Sequence, residues 1–175
     1  GLTRKEDIAC INALLPDYCG FVINYPKSHR SLSPDQVWAL ADGLDRAHVK
    51  AAGVFVNAPV GQVAELLNDG TLDMAQLHGD EDESYIATLR NLTDKPLLKA
   101  FTVNSLTALE KALKSSADHI LLDAGKGSGK TFDWKILDNA DASESSSVLS
   151  ELSEKEWFLA GGLNETNIAS AIRKY

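Results

Sequence analysis

Apolar positions along the chain alternate between two patterns. Short apolar runs bounded by glycine, proline or charged residues occupy positions 19–23, 51–56, 73–77, 96–101, 119–123 and 157–160, and their length predicts six buried strands. Between them the apolar residues recur at helical spacing: Ile8, Ile11, Ala13, Leu14 and Leu15 first, then Val37, Leu40, Ala41 and Leu44, then Val63, Leu66 and Leu67. Further helices are expected over 105–114 and from Thr166 onward. The start signals agree with this division. Thr3-Arg4-Lys5-Glu6 has the form of a capping box, and Pro16 closes the helix that follows. Ser33-Pro34-Asp35-Gln36 puts serine at the N-cap, proline at the first helical position and glutamine at the third. Pro59 opens the next helix, and the acidic residues at 80–83 suit the positive end of another helix dipole.

Strands that alternate with helices at a period of about 25–35 residues are expected to pair in parallel through right-handed crossovers. Two architectures satisfy that pattern, an open doubly wound sheet and a closed (β/α)8 barrel, both of the α/β class. The glycines favour the barrel. No G-x-G-x-x-G follows the first strand, whereas short polar or glycine motifs end nearly every strand: Tyr25-Pro26-Lys27, Asn57, His78-Gly79, Asp123 and Gly161-Gly162. In a barrel all of these ends meet on one face. No break in composition divides the chain, so residues 1–175 read as a single domain. The stretch 141–154, rich in Ser, Asp and Glu, reads as a solvated insertion.

Composition narrows the function. The chain is 44% hydrophobic and 24% charged, as globular proteins are, but its net charge of −8 argues against nucleic acid or an anionic membrane as partner. The apolar runs are too short to span a bilayer and no signal peptide opens the sequence. Cys10 and Cys19 are not a disulfide framework and read as reduced and buried, which points to a cytoplasmic protein. His29, His48, His78 and His119 share no metal-ligand spacing. Gly129-Lys130-Thr131 has the ending of a phosphate-binding P-loop. The position that requires its first glycine is Ala124, however, and Phe132-Asp133-Trp134 interrupts the helix that should follow.

The ordered set of motifs resembles one family throughout. Gly1-Leu2-Thr3-Arg4, Gly20-Phe21-Val22 with Tyr25-Pro26-Lys27-Ser28 and Arg30, Gly53 to Asn57, Gln76-Leu77-His78-Gly79, Leu122-Asp123, Gly127 to Trp134 and Ala160-Gly161-Gly162-Leu163-Asn164 look like those of phosphoribosylanthranilate isomerase. The resemblance implies a (β/α)8 barrel and an Amadori rearrangement. In that reaction N-(5′-phosphoribosyl)anthranilate becomes the 1-deoxyribulose aminoketone, the third step of tryptophan synthesis from chorismate, by general acid–base chemistry without metal or organic cofactor. It further implies Asp123 as the general acid, Arg30 as partner of the anthranilate carboxylate, His78 near the substrate, and Gly161 and Gly162 at the phosphate.

Two departures accompany the matches. The family's general base is a cysteine immediately before the glycine that matches Gly1, and its eighth strand with a Ser-Ser-Gly phosphate loop follows the point where Tyr175 stands. The sequence therefore resembles a member lacking its first and last strands, a barrel domain truncated at both ends. Strands two to seven alone are expected to leave two open edges, to be filled by a missing chain segment or by a second copy in a homo-oligomer. The chain alone is then expected to turn over little substrate. Another phosphosugar barrel enzyme and a non-catalytic phosphate-binding fragment are the alternatives. A histidine-pathway isomerase would share the chemistry, but its aspartate base and internal two-fold repeat are not seen.

Overall fold

A computed structural model describes residues 1–123, 152 and 154–174. The chain divides into two compact units, Gly1–Lys99 and Ala100–Tyr175.

The first unit runs α1 (Lys5–Leu14), β1 (Tyr18–Ile23), β2 (Ser31–Leu32), α2 (Pro34–Ala41), β3 (Lys50–Phe55), α3 (Val60–Asn68), β4 (Met74–Leu77) and α4 (Glu83–Arg90), and it includes the start of β5 (Leu97–Thr102). Every pairing in it is parallel: β1 lies between β2 and β3, β3 pairs with β4, and β4 with β5. The second and third helices cover the sheet with the residues that the periodicity picked out, whereas of the first helix's apolar set only Ile8 is buried and Leu14 and Leu15 are exposed. Val37, Leu40, Ala41 and Leu44 are buried on the second helix and the turn after it, and Val63, Leu66 and Leu67 on the third. Phe21, Ile23, Phe55, Leu72, Leu77, Ile86 and Leu89 are almost wholly removed from water. Burial of each such side chain contributes about 1.5–3 kcal/mol, and together they hold the strand ends in place.

The second unit contains α5 (Leu106–Leu113), β6 (His119–Asp123), β7 (Trp157–Leu159) and α6 (Ile168–Lys174). β6 and β7 pair in parallel, with Ile120 opposite Trp157 and Leu122 opposite Leu159. Its core joins Val103, Leu109, Ala112, Ile120, Leu122 and Leu152, with Phe101, Leu106, Leu113, Trp157 and Leu159 packed around them.

All six expected strands are present among the described residues, each within a residue or two of its expected bounds. The Ser33 hydroxyl accepts from the Gln36 N–H, the Gln36 side-chain oxygen accepts from the Ser33 N–H, Asp82 caps α4 and Ser105 caps α5. Four expectations need correction. The first cap sits one residue later than read: Asp7, not Glu6, accepts from the N–H groups of Thr3 and Arg4. Cys10 is exposed rather than buried, because only Ile8 of α1 is fully covered; Cys19 is buried as expected. The two-residue strand β2, too short to show a period, adds to β1 through Val22 opposite Ser31. Most of 141–154, like the glycine-rich loop at 124–134, lies outside the described residues, but Leu152 is buried in the core of the second unit, so that stretch is not wholly solvated.

Candidate active site

In the first unit the candidate residues Arg30 and His78 lie in the loops after β1 and β4, beside the loop after β3. After β1 the loop turns at Asn24, whose φ is 47°. The Ser31 hydroxyl then accepts from the Tyr25 N–H at 2.8 Å and the Ser28 hydroxyl from the Arg30 N–H at 3.2 Å. These two serines fasten the backbone of the loop that presents Arg30, whose side chain is exposed.

After β3 the chain turns at Asn57, with φ 53°. Its side chain accepts from the Asp80 N–H at 2.7 Å and so ties the end of β3 to the loop after β4. That loop begins with His78 and Gly79. His78 donates its backbone N–H to Phe55 O at 2.8 Å, and its Nδ1 lies 2.7 Å from Gln76 Nε2. A side chain at 79 has no room: a Cβ there would stand 2.4 Å from Asn57 Oδ1 and 2.8 Å from the Asn57 backbone nitrogen.

Beneath this corner lies a pair that the sequence did not single out. Lys99 on β5 and Glu81 in the loop before α4 are buried and meet at 3.1 Å. Glu81 accepts from the N–H groups of Asn57 at 2.7 Å and Gly79 at 2.8 Å. Lys99 Nζ donates to Leu77 O at 3.3 Å and Gly79 O at 2.7 Å. The acidic start read as favouring a helix dipole thus divides its labour: Asp82 caps α4, Asp80 meets Asn57, and Glu81 turns inward. Nearby, Tyr85 donates its hydroxyl to Ala58 O at 2.8 Å. Burial, with the Glu81 charge adding to it, pushes that phenol up to about 12.

In the second unit Asp123 ends β6 and is buried. Its carbonyl accepts from the Val103 N–H at 3.0 Å, and one residue earlier Leu122 O accepts from the Ala160 N–H at 2.8 Å. Asp123 and the Gly161-Gly162 turn therefore sit on neighbouring strand ends. Gly161 and Gly162 have φ of 93° and 63°, a conformation that favours glycine. Asn164 and Asn167 both donate to Gly162 O, which holds the turn in shape. The N–H groups of Gly161 and Gly162 donate to no group among the described residues. No set of three or more His, Cys, Asp or Glu residues is placed to hold a metal ion among the described residues.

A sequence profile of N-(5′-phosphoribosyl)anthranilate (PRA) isomerase matches residues 1–175. The chain belongs to that family. The isomerase of Endomicrobium trichonymphae is 36% identical over 179 residues, covering 99% of this chain and 80% of the relative. Among solved structures, the phosphoribosylanthranilate isomerase of Thermus thermophilus superposes with a TM-score of 0.76 at 27% identity, over 98% of this chain and 79% of that one. An isomerase in complex with reduced 1-(o-carboxyphenylamino)-1-deoxyribulose 5-phosphate superposes with a TM-score of 0.73 at 30% identity, over 98% of this chain and 78% of the other. The fold class is the family's (β/α)8 barrel; the described residues contain six strands and the short β2.

The residues singled out from sequence lie at or after strand ends: Arg30 in the loop after β1, directly before β2, and His78 just after β4 in the first unit, and Asp123 at the end of β6 with Gly161 and Gly162 after β7 in the second. What sequence reasoning missed is Glu81 with Lys99. The available signal was a lysine in the middle of an otherwise apolar strand, since a buried lysine requires a partner.

Proposed function

We propose that this chain isomerises N-(5′-phosphoribosyl)anthranilate to 1-(2-carboxyphenylamino)-1-deoxyribulose 5-phosphate in tryptophan biosynthesis. Asp123 protonates the ring oxygen of the aldosylamine and the furanose opens to a Schiff base. A base then takes the C2 proton and the enol collapses to the aminoketone. The observation that carries the reading is the family match over residues 1–175, together with a carboxyl buried at the carboxyl end of β6. The base implied by the resemblance is the cysteine that would precede Gly1; Cys10 does not substitute for it, because it lies on the exposed side of α1. Arg30 pairs with the anthranilate carboxylate, His78 contacts the sugar, and the N–H groups of Gly161 and Gly162 take the phosphate, a role supported by their having no acceptor among the described residues. We further propose that the enzyme works in the cytoplasm, supported by its two free thiols.

The test is turnover of phosphoribosylanthranilate alongside binding of the reduced product analogue. Asp123→Asn is expected to lower whatever turnover the chain shows by roughly 10²–10⁴-fold, to the background rate where that turnover is small, while analogue binding changes little. Unaltered kcat removes Asp123 from the acid role. Turnover that depends on Asp123 in a chain without the cysteine assigns the base elsewhere. Binding of analogue and phosphate without any turnover supports the non-catalytic alternative.

A further inference from the structure

Both peptide groups that flank His78 are fastened. On one side the Leu77 carbonyl accepts from Lys99 Nζ at 3.3 Å and the His78 N–H donates to Phe55 O at 2.8 Å. On the other side the Gly79 N–H donates to Glu81 Oε2 at 2.8 Å, and the Gly79 carbonyl accepts from Lys99 Nζ at 2.7 Å. The imidazole itself has Gln76 Nε2 2.7 Å from its Nδ1. Glu81 also reaches the Asn57 N–H at 2.7 Å, so a single ion pair ties the ends of β3 and β4 to the middle of β5.

Stability alone is a weak reason for such a pair. The side chains of Lys99 and Glu81 are 6% and 1% exposed, so both charges are stripped of water. Desolvation on that scale offsets the attraction, and apolar residues of similar volume often fill such a space at equal or lower free energy. Apolar side chains cannot, however, accept from two N–H groups and donate to two carbonyls at the ends of neighbouring strands. That combination fixes the rotation of the backbone on either side of one residue, and the residue is the histidine at the strand end.

We propose that Glu81 and Lys99 are positioning residues of the isomerase site, a buried clamp that sets the backbone of His78 and aims its imidazole at bound substrate. The proposal rests on the reading of His78 as a substrate contact. Neither member of the clamp need touch substrate.

The experiment uses the full chain and two variants: the double substitution Glu81→Leu with Lys99→Met, which removes both charges at similar volume, and Glu81→Gln, which keeps size and one acceptor. Three quantities are read: the ¹H–¹⁵N signals of the His78 imidazole, affinity for the reduced product analogue, and affinity for inorganic phosphate. The expected result is a folded double variant with displaced His78 signals and analogue affinity lowered by roughly ten- to a hundredfold, the scale on which a displaced contact acts. Phosphate affinity should be unchanged, since Gly161 and Gly162 take that group. Unmoved His78 signals with wild-type analogue affinity overturn the clamp. If the double variant does not fold, the same readouts in Glu81→Gln decide. If the wild-type chain itself does not bind the analogue, the site reading falls, and the His78 signals alone judge the clamp: displaced signals support it and unmoved ones overturn it.

Discussion

Two carboxylate–cation pairs join β3 to β4, one at each end of the strands, and they differ chiefly in solvent. At the amino ends Asp73 accepts from the Ala51 N–H at 2.7 Å and pairs with Arg46 at 2.9 Å, while Arg46 donates to Thr71 O and Gly70 O. At the carboxyl ends Glu81 accepts from Asn57 and Gly79, while Lys99 donates to Leu77 O and Gly79 O. In both, a carboxylate takes backbone N–H, one for Asp73 and two for Glu81, and a cation takes two carbonyls. The first pair keeps 32% and 26% of its side-chain surface in water, the second 6% and 1%. A barrel concentrates chemistry at the carboxyl ends and stability at the amino ends. The solvated pair is thus a modest staple, whereas the dry pair has a geometric duty that justifies its desolvation.

The sharpest way to break the comparison is to remove one cation from each pair. Lys99→Met leaves Glu81 buried without its countercharge, and the expected loss is about 3–5 kcal/mol in urea unfolding. Removing both charges of that pair should recover part of the loss, the uncompensated charge, while the N–H groups of Asn57 and Gly79 and the carbonyls of Leu77 and Gly79 still lose their side-chain partners. A loss under about 1 kcal/mol for Lys99→Met alone would mean that Glu81 finds water or another partner, and the dry corner would be no different from the wet one. Next in size is Gly79→Ala. The added Cβ would stand 2.4 Å from Asn57 Oδ1, so the Asn57–Asp80 tie or the loop itself must shift. An overpacking cost of about 1–3 kcal/mol is expected, with the His78 signals displaced in the same experiment.

The contrast also explains what could be read in advance. The strands were legible because each is a short apolar run stopped by a polar or glycine residue, and the caps Ser33, Asp82 and Ser105 because capping is a local matter of three residues. The positions of His78, Asp123, Gly161 and Gly162 at or just after strand ends followed from the same stops. The clamp was not legible. Glu81 precedes Lys99 by eighteen residues, and their meeting depends on the parallel register that sets Leu77 opposite Lys99. Nothing local separates Glu81, which turns inward, from Asp80 and Asp82 on either side of it. The exposure of Cys10 escaped for a related reason: the helical period of α1 names an apolar face, while how much of that face is covered depends on its neighbours.

Tyr85 offers a smaller effect with a defined pH window. Its phenol is raised from 10.0 to about 12 in the folded chain, by burial first and the Glu81 charge second. A raised folded value means that the contribution to stability is complete below the unfolded value and is lost as pH climbs toward the folded one. Urea midpoints should therefore fall between pH 10 and about 12. Tyr85→Phe should cost about 1 kcal/mol at neutral pH, the hydrogen bond to Ala58 O, and should flatten that alkaline limb. A limb of unchanged steepness in the variant assigns it to other groups.

The smallest effect separates the two pairs most cleanly, because it depends on solvent alone. Arg46→Ala should cost about 0.5–1 kcal/mol at low salt, the ordinary worth of a partly solvated pair. At 1 M salt the Debye length falls to about 3 Å, so ions in the surrounding water screen the Arg46–Asp73 attraction and the cost of the substitution should shrink. What survives is the pair of hydrogen bonds from Arg46 to Thr71 O and Gly70 O, which screening does not remove. The cost of Lys99→Met should hardly move over the same range, since no ion can enter between Lys99 and Glu81 to replace the lost charge. Equal salt dependence in the two variants would show that water reaches both corners, and the distinction between staple and clamp would then rest on position in the barrel and not on burial.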